Sequence, residues 1–118
     1  MQRPIDIPTV IKTDPSTFET YTLDGPDYPG LRWLPITFDA KTSRGSYYFQ
    51  MLPRAVTKPH THPGYEEFFV IEGEAIESDG RVLKTGDFVS FKPGSFHNTR
   101  TETGCLMIVF EWDHDQRG

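Results

Sequence analysis

The sequence predicts an all-β domain, a sandwich or small barrel of about eight or nine short strands. Three observations point there. Alternating, β-branched or aromatic runs recur with turn residues between them. No segment carries a 3.6-residue apolar stripe over helical length. Ten Gly and ten Pro punctuate 118 residues, a density that suits short strands and breaks long helices.

Residues 1–17 are mixed and Pro-containing, an arm with at most a short strand. Residues 18–23 alternate and read as a strand. Asp, Gly and Pro cluster over residues 24–30, which makes that stretch a loop. Residues 31–38 form a strand whose Pro35 must sit at an edge or bulge, since proline has no N–H for a ladder. A turn at residues 43–45 leads into a strand over 46–52. Tyr47, Phe49 and Met51 share one of its faces, Tyr48 and Gln50 the other, and one of the two sets lines the interior. Residues 56–72 carry two of the histidines and end at a break at Glu72-Gly73. Residues 75–77 and 81–83 flank Ser78-Asp79-Gly80, a hairpin turn because Asp-Gly supplies positive φ. Residues 87–91 form the next strand, His97 opens the last pair, and residues 106–112 close it. The expected organisation is an arm (1–17), one domain (18–112) and a tail (113–118).

Composition excludes several classes. A chain of 118 residues holds one core and not two. The formal charge of −5 disfavours nucleic acid and anionic membranes as partners. One cysteine, Cys105, cannot form an internal disulfide, and its apolar run suggests a buried, inert thiol. The first residues lack the apolar core of a signal peptide, and no run is of transmembrane length. The expected location is cytoplasmic. No Ser-His-Asp arrangement, phosphate loop or basic groove is visible.

Chemistry concentrates in His60-Thr61-His62, Glu66 and, thirty-one residues later, His97. A His-x-His pair in a strand puts both rings on one face. Glu66 lies at even spacing from both, so a continuous strand keeps it on that face. Glu67 is the competing acid. Imidazole and carboxylate suit iron, zinc, manganese, nickel or copper, and no nearby thiolate narrows the choice. His114, inside an acidic tail, is read as solvent-facing.

The block His60-Thr-His62-Pro-Gly-Tyr-Glu66-(six residues)-Gly73 resembles the first cupin motif. Gly86-(five residues)-Lys92-Pro-Gly94-Ser-Phe-His97 resembles the second. The resemblance implies a jelly-roll β-barrel, or double-stranded β-helix, with one divalent metal ion held in its mouth by His60, His62, Glu66 and His97. The gap to Gly73 favours Glu66 over Glu67. Three positions depart from the pattern: Arg54 stands where the first motif opens with Gly, Lys92 replaces the second motif's leading Pro, and Thr101 replaces its terminal Asn. None removes a ligand, but Arg54 is expected to adopt strained or altered backbone, since Gly there serves a turn.

Pro29-Gly30-Leu-Arg-Trp33 and His62-Pro-Gly-Tyr-Glu-Glu67 are similar to the ChrR-like branch of cupins. That branch contains diketone- and acetophenone-cleaving oxygenases as well as zinc-binding anti-sigma domains. Three neutral imidazoles and one carboxylate would leave a divalent ion net positive, with coordination positions open to oxygen or substrate. The resemblance favours an Fe2+ dioxygenase acting on a small carbonyl or hydroxy-ketone substrate. The alternatives are a metal-assisted isomerase or lyase, and a non-enzymatic metal-binding sensor or ligand-binding barrel. Sensors of the anti-sigma type carry a separate helical partner-binding domain, for which this length leaves no room. Further candidates at the barrel mouth are Tyr65, as a hydrogen-bond donor to ligand, and Arg54, as a carboxylate clamp if it points inward. A homodimer is expected, because Trp33, Phe38 and the last strand offer more apolar surface than one small barrel needs.

Overall fold

A computed structural model describes residues 8–113. Antiparallel pairing accounts for every ladder among them. The main sheet runs β1 (Glu19–Thr20), β2 (Leu31–Asp39), β3 (Arg44–Met51), β10 (Cys105–Trp112), β5 (Tyr65–Glu77) and β6 (Val82–Lys84), with β7 (Phe88–Phe91) and β9 (Thr99–Arg100) also on β5. A separate two-stranded ladder joins β4 (His60–Thr61) to β8 (Phe96–His97). The result is an all-β barrel of the kind the motif resemblance implies, its sheets curled around one interior. The described residues include no α-helix, only a 3₁₀ turn at Pro15–Thr17 capped by Asp14. Among the described residues no helix is therefore long and apolar enough to cross a membrane.

Period-two burial builds the core. Tyr47, Phe49 and Met51 are buried while Tyr48 and Gln50 are half exposed, so the first set faces inward. Phe68 and Val70 from β5 and Met107 and Val109 from β10 meet them there. Pro35 sits where sequence placed it: the β2–β3 register slips between Pro35 and Thr37, leaving Ile36 unpaired as a bulge. The Ser78–Gly80 hairpin also forms, with Gly80 at φ +92° and Ala75 opposite Leu83.

Three expectations change. The strand over 18–23 shrinks to two residues, because Gly25 N–H turns back to the Thr22 carbonyl (3.0 Å). The stretch 56–72 is not one strand: Pro63, with no N–H to give, and Gly64 interrupt it, leaving β4 and β5 as separate elements. The break at Glu72-Gly73 is instead a bend inside the thirteen-residue β5. There Ile71 is left unpaired opposite Leu106/Met107, and Gly73 adopts φ +88°. A Cβ on Gly73 would lie 2.3 Å from the Gly104 carbonyl oxygen, so only glycine allows the two strands to close there.

That bulge reverses side-chain parity along β5. Phe68 and Val70 point inward before it, Ala75 and Glu77 after it. Trp33 and Phe38, expected to feed an outer apolar surface, turn inward and pack on the core. The exposed apolar residues of the main sheet are instead Phe69, Val82, Phe88, Phe110 and Trp112.

Arg54 adopts φ +70°, the conformation for which the motif's usual glycine is suited. Gly73→Ala is expected to destabilise by about 3 kcal/mol or more, from backbone overlap plus strain. Gly80→Ala, with φ +92° but open space around it, should cost only about 1 kcal/mol. Urea unfolding of the two variants measures the difference; equal losses would remove the close-packing argument.

Candidate metal centre

The β4–β8 ladder sets His60 directly opposite His97. Beyond β4 the chain stays tied to the second motif: His62 N–H donates to the Ser95 carbonyl (2.9 Å), and Gly94 N–H returns to the His62 carbonyl (2.8 Å). These two bonds hold His62 beside His97 although it has left the strand. Glu66 arrives from the start of β5. The Nε2 atoms of His62 and His97 lie 2.8 Å apart, and Glu66 Oε1 is 3.4 Å from the first and 3.2 Å from the second.

Donor atoms of His62, Glu66 and His97 all fall within 4.8 Å of one another. Two buried imidazole nitrogens and a carboxylate oxygen at such separations need a shared proton or a cation among them, and the set fits a divalent transition ion. His60 stands just outside this trio. It is exposed, packs edge-on to His62 at 4.3 Å between ring centroids, and gives its Nδ1 to the Lys58 carbonyl (2.7 Å). That bond leaves Nε2 as the ring nitrogen that could serve a metal.

Glu77 is the functional residue that sequence reading missed. It is 5% exposed, and its Oε1 accepts from His97 Nδ1 at 2.9 Å. Its other oxygen accepts a short hydrogen bond from the Thr99 hydroxyl. A carboxylate behind a histidine fixes the tautomer and aims Nε2 at the centre. Simple alternation would have buried Ile76 and exposed Glu77; the Ile71 bulge reverses that. Phe91 completes the setting by stacking on the His97 ring, 3.7 Å between centroids and 4° from parallel.

The same geometry sets the electrostatics. Burial works against a charged His97, yet hydrogen bonds and charge from Glu66 and Glu77 outweigh it and push its pKa up to about 9. Burial lowers the pKa of His62, which the nearby Glu66 only partly offsets. Glu111, opposite Glu66 across β10 and β5, is pushed up to about 7 by burial and by the Glu66 charge.

A cavity of about 380 Å³ opens beside the centre. His60, His62, Glu66 and His97 line it, together with the mutually packed aromatics Trp33, Phe38, Tyr47 and Phe49. The remaining candidates lie elsewhere. Arg54 is exposed on its turn and is not among the cavity-lining residues, so it forms no clamp there. Tyr65 lies flat on Trp112, with centroids 4.2 Å apart, outside the cavity lining. Glu67 accepts from Trp112 Nε1 (2.9 Å), which separates it from Glu66 as strand parity requires. Cys105 is buried, and desolvation pushes its thiol up to about 11, so it is inert. His114 lies outside the described residues.

The ChrR Cupin-like domain family matches residues 11–115. The chain belongs to the ChrR-like cupins. Solved structures similar to this cupin include an acetylacetone dioxygenase from Acinetobacter johnsonii, with TM-score 0.73 and 14% identity over 94% of this chain and 78% of that one. The polyketide cyclase RemF from Streptomyces resistomycificus follows at TM-score 0.67 and 17% identity, over 87% and 79%. The anti-sigma ChrR, solved with Rhodobacter sphaeroides SigE, gives TM-score 0.64 and 17% identity, over 82% of this chain and half (50%) of that one. Identities this low establish a common fold. No curated protein matches the sequence significantly.

His62→Ala is expected to abolish stoichiometric metal binding while leaving a folded barrel. Glu66→Gln should weaken binding, Glu77→Gln should weaken it about tenfold or more, and Glu67→Gln should leave it unchanged. Competition titration with a chromophoric chelator ranks them; a Glu67 effect larger than that of Glu66 would overturn the assignment.

The metal-free protein should show a signature of His97. A folded pKa raised above the ordinary 6.5 gives stability that is full below about 6.5 and lost as pH rises through about 9. Glu111, also raised, loses its contribution earlier, between about 4.5 and 7. The interval from pH 7 to 9 therefore isolates His97, with an expected loss of about 2–3 kcal/mol. Urea unfolding at both ends measures it, and a flat profile would refute the Glu66–His97–Glu77 coupling.

Proposed function

We propose that this cupin is a metal-dependent oxygenase of the dioxygenase type, acting on a small carbonyl or hydroxy-ketone substrate. His62, Glu66 and His97 are the ligands, with His60 as the fourth. One observation carries the reading: three convergent donor atoms border a roomy cavity that a cluster of aromatic residues also lines. A purely structural site has its ligands closed around the ion, whereas a catalytic site keeps a position open. Fe2+ is the preferred ion, and the donor set also accommodates Zn2+, Mn2+, Ni2+ or Cu2+.

When bound, such an ion supplies Lewis acidity and, if redox-active, electrons for oxygen chemistry. The protein's own residues prepare the site. Glu77 holds His97 in one tautomer, Phe91 keeps that ring flat against the wall, and the aromatic lining keeps water from the substrate. Only one of the three trio ligands is anionic, so the bound ion retains positive charge to attract a carbonyl or enolate oxygen.

A second reading is a sensor or binding barrel around a structural zinc ion. It draws on the depth of His62 and His97, which are 3% and 7% exposed. A metal-assisted isomerase or lyase would use the same centre. Elemental analysis of untagged protein purified without chelator, followed by oxygen-uptake assays on diketones and hydroxy-ketones, separates these readings. About one iron per chain with substrate-dependent oxygen consumption is expected. Stoichiometric zinc with no uptake after iron reconstitution would overturn the oxygenase.

A further inference from the structure

Directly across the sheet from Glu66 stands another acid. Glu111 of β10 pairs with Glu66 of β5 on one side and with Gly45 of β3 on the other. Glu66, Glu111 and Tyr47 share inward parity with the core residues Phe68, Val109 and Phe49 of their strands. Directly opposed side chains in a sheet stand about 5 Å apart at Cβ, and diagonal neighbours stay within reach of long or aromatic side chains. Glu111 uses both kinds of contact. Its carboxyl is hydrogen-bonded to that of Glu66, and its Oε2 accepts the Tyr47 hydroxyl at 2.9 Å. Gly45 has no side chain to intervene.

Two carboxyl groups can hydrogen-bond to each other only when one keeps its hydrogen. Like charges opposed across a ladder are destabilising, whereas an O–H···O⁻ bond between the same two groups is short and strong. Tyr47, itself 5% exposed, divides the roles. By donating to Oε2 it makes that oxygen the acceptor and leaves the other to carry the hydrogen. On the Glu66 side, Oε1 is the atom that approaches the imidazoles, 3.4 Å from His62 Nε2 and 3.2 Å from His97 Nε2. An ionised carboxylate has lone pairs for a further donor. Arg44, which lines the same cavity, is engaged elsewhere: its Nε pairs with Asp113 at 2.7 Å and its Nη1 donates to the Ser43 carbonyl at 3.2 Å.

We propose that Glu111, held by Tyr47, is a positioning residue for Glu66, its carboxyl hydrogen fixing the Glu66 carboxylate with Oε1 aimed between His62 and His97. Glu111 thus does for the carboxylate ligand what Glu77 does for His97. Orienting partners of this kind change metal affinity by about 10–100-fold. The inference rests on the reading of His62, Glu66 and His97 as metal ligands and is independent of the reaction.

The Zn2+ affinity of the full chain, measured at one neutral pH by competition with a chromophoric chelator, is compared in wild type, Glu111→Leu, Glu111→Gln and Tyr47→Phe. Leu fills the space but offers no hydrogen. Gln is uncharged, accepts from Tyr47 through its carbonyl and donates to Glu66 through its amide. The expected result is a loss of about tenfold or more for Glu111→Leu, a several-fold loss for Tyr47→Phe, and affinity close to wild type for Glu111→Gln. Neither a packing role nor a charge role would give that rescue. Equal losses in the Leu and Gln variants would overturn the proposal, as would wild-type affinity in the Leu variant. Should Glu111→Leu fail to fold, Tyr47→Phe decides: a several-fold loss there, with Glu111→Gln close to wild type, sustains the proposal, and wild-type affinity overturns it. If wild type itself bound no Zn2+, the metal-centre reading would fall and this inference with it. Binding by wild type with no difference among the variants overturns this inference alone.

Discussion

His97 is held between two carboxylates of a single strand, and the rest of the architecture answers to that clamp. Glu66 contacts its Nε2 and Glu77 its Nδ1, although the two acids are 77 − 66 = 11 positions apart on β5. Drawn straight, those positions would be roughly 35 Å apart. They reach one imidazole only because β5 curls tightly and passes from one wall of the barrel to the other. The bulge at Ile71 and the positive φ of Gly73 make that turn. The same bulge shifts parity by one residue, so that an odd separation still leaves both acids inward. Barrel closure and assembly of the centre are thus one event.

Charge explains why the centre holds together and what it asks for. Glu66, Glu77 and Glu111 crowd the interior around two buried imidazoles. Burying acids is costly unless cations answer them. In the metal-free protein a proton on His97 supplies part of the answer, which is why its pKa rises. A divalent ion would answer more completely by replacing that proton, and metal loading should therefore release protons near neutral pH. The aromatic residues that share the cavity lower the local dielectric and strengthen each of these interactions. A cupin barrel shared with enzymes and with an anti-sigma factor does not choose the reaction; the residues facing the ion do.

Much of this was legible in the sequence because strand chemistry is local. Alternation in residues 46–51 determined that one of two faces is inside, the Asp-Gly pair forced a hairpin, and Pro35 required an edge or a bulge. The spacing of His60, His62, Glu66 and His97 marked candidate ligands, three of which converge, and Arg54 in place of a motif glycine pointed to the strained backbone seen there. Two sequence arguments reached a correct end by a wrong route. Glu66 joins His62 through a turn at Pro63-Gly64 rather than along a continuous strand, and Gly73 bends β5 rather than ending it.

The sequence by itself determined the fold class, the family and the residue types available to a metal, since these depend on short-range pattern and motif spacing. Tertiary structure alone decided which donors converge. It gathered His62, Glu66 and His97, set His60 at the rim, removed Tyr65 and Arg54 from the cavity, and brought in Glu77 and the Tyr47–Glu111 pair. The physical reason is that closure of a barrel is a property of all its strands together. One unpaired residue at Ile71 reverses every side chain beyond it, and nothing within the 74–77 segment announces on which side of the bulge it lies.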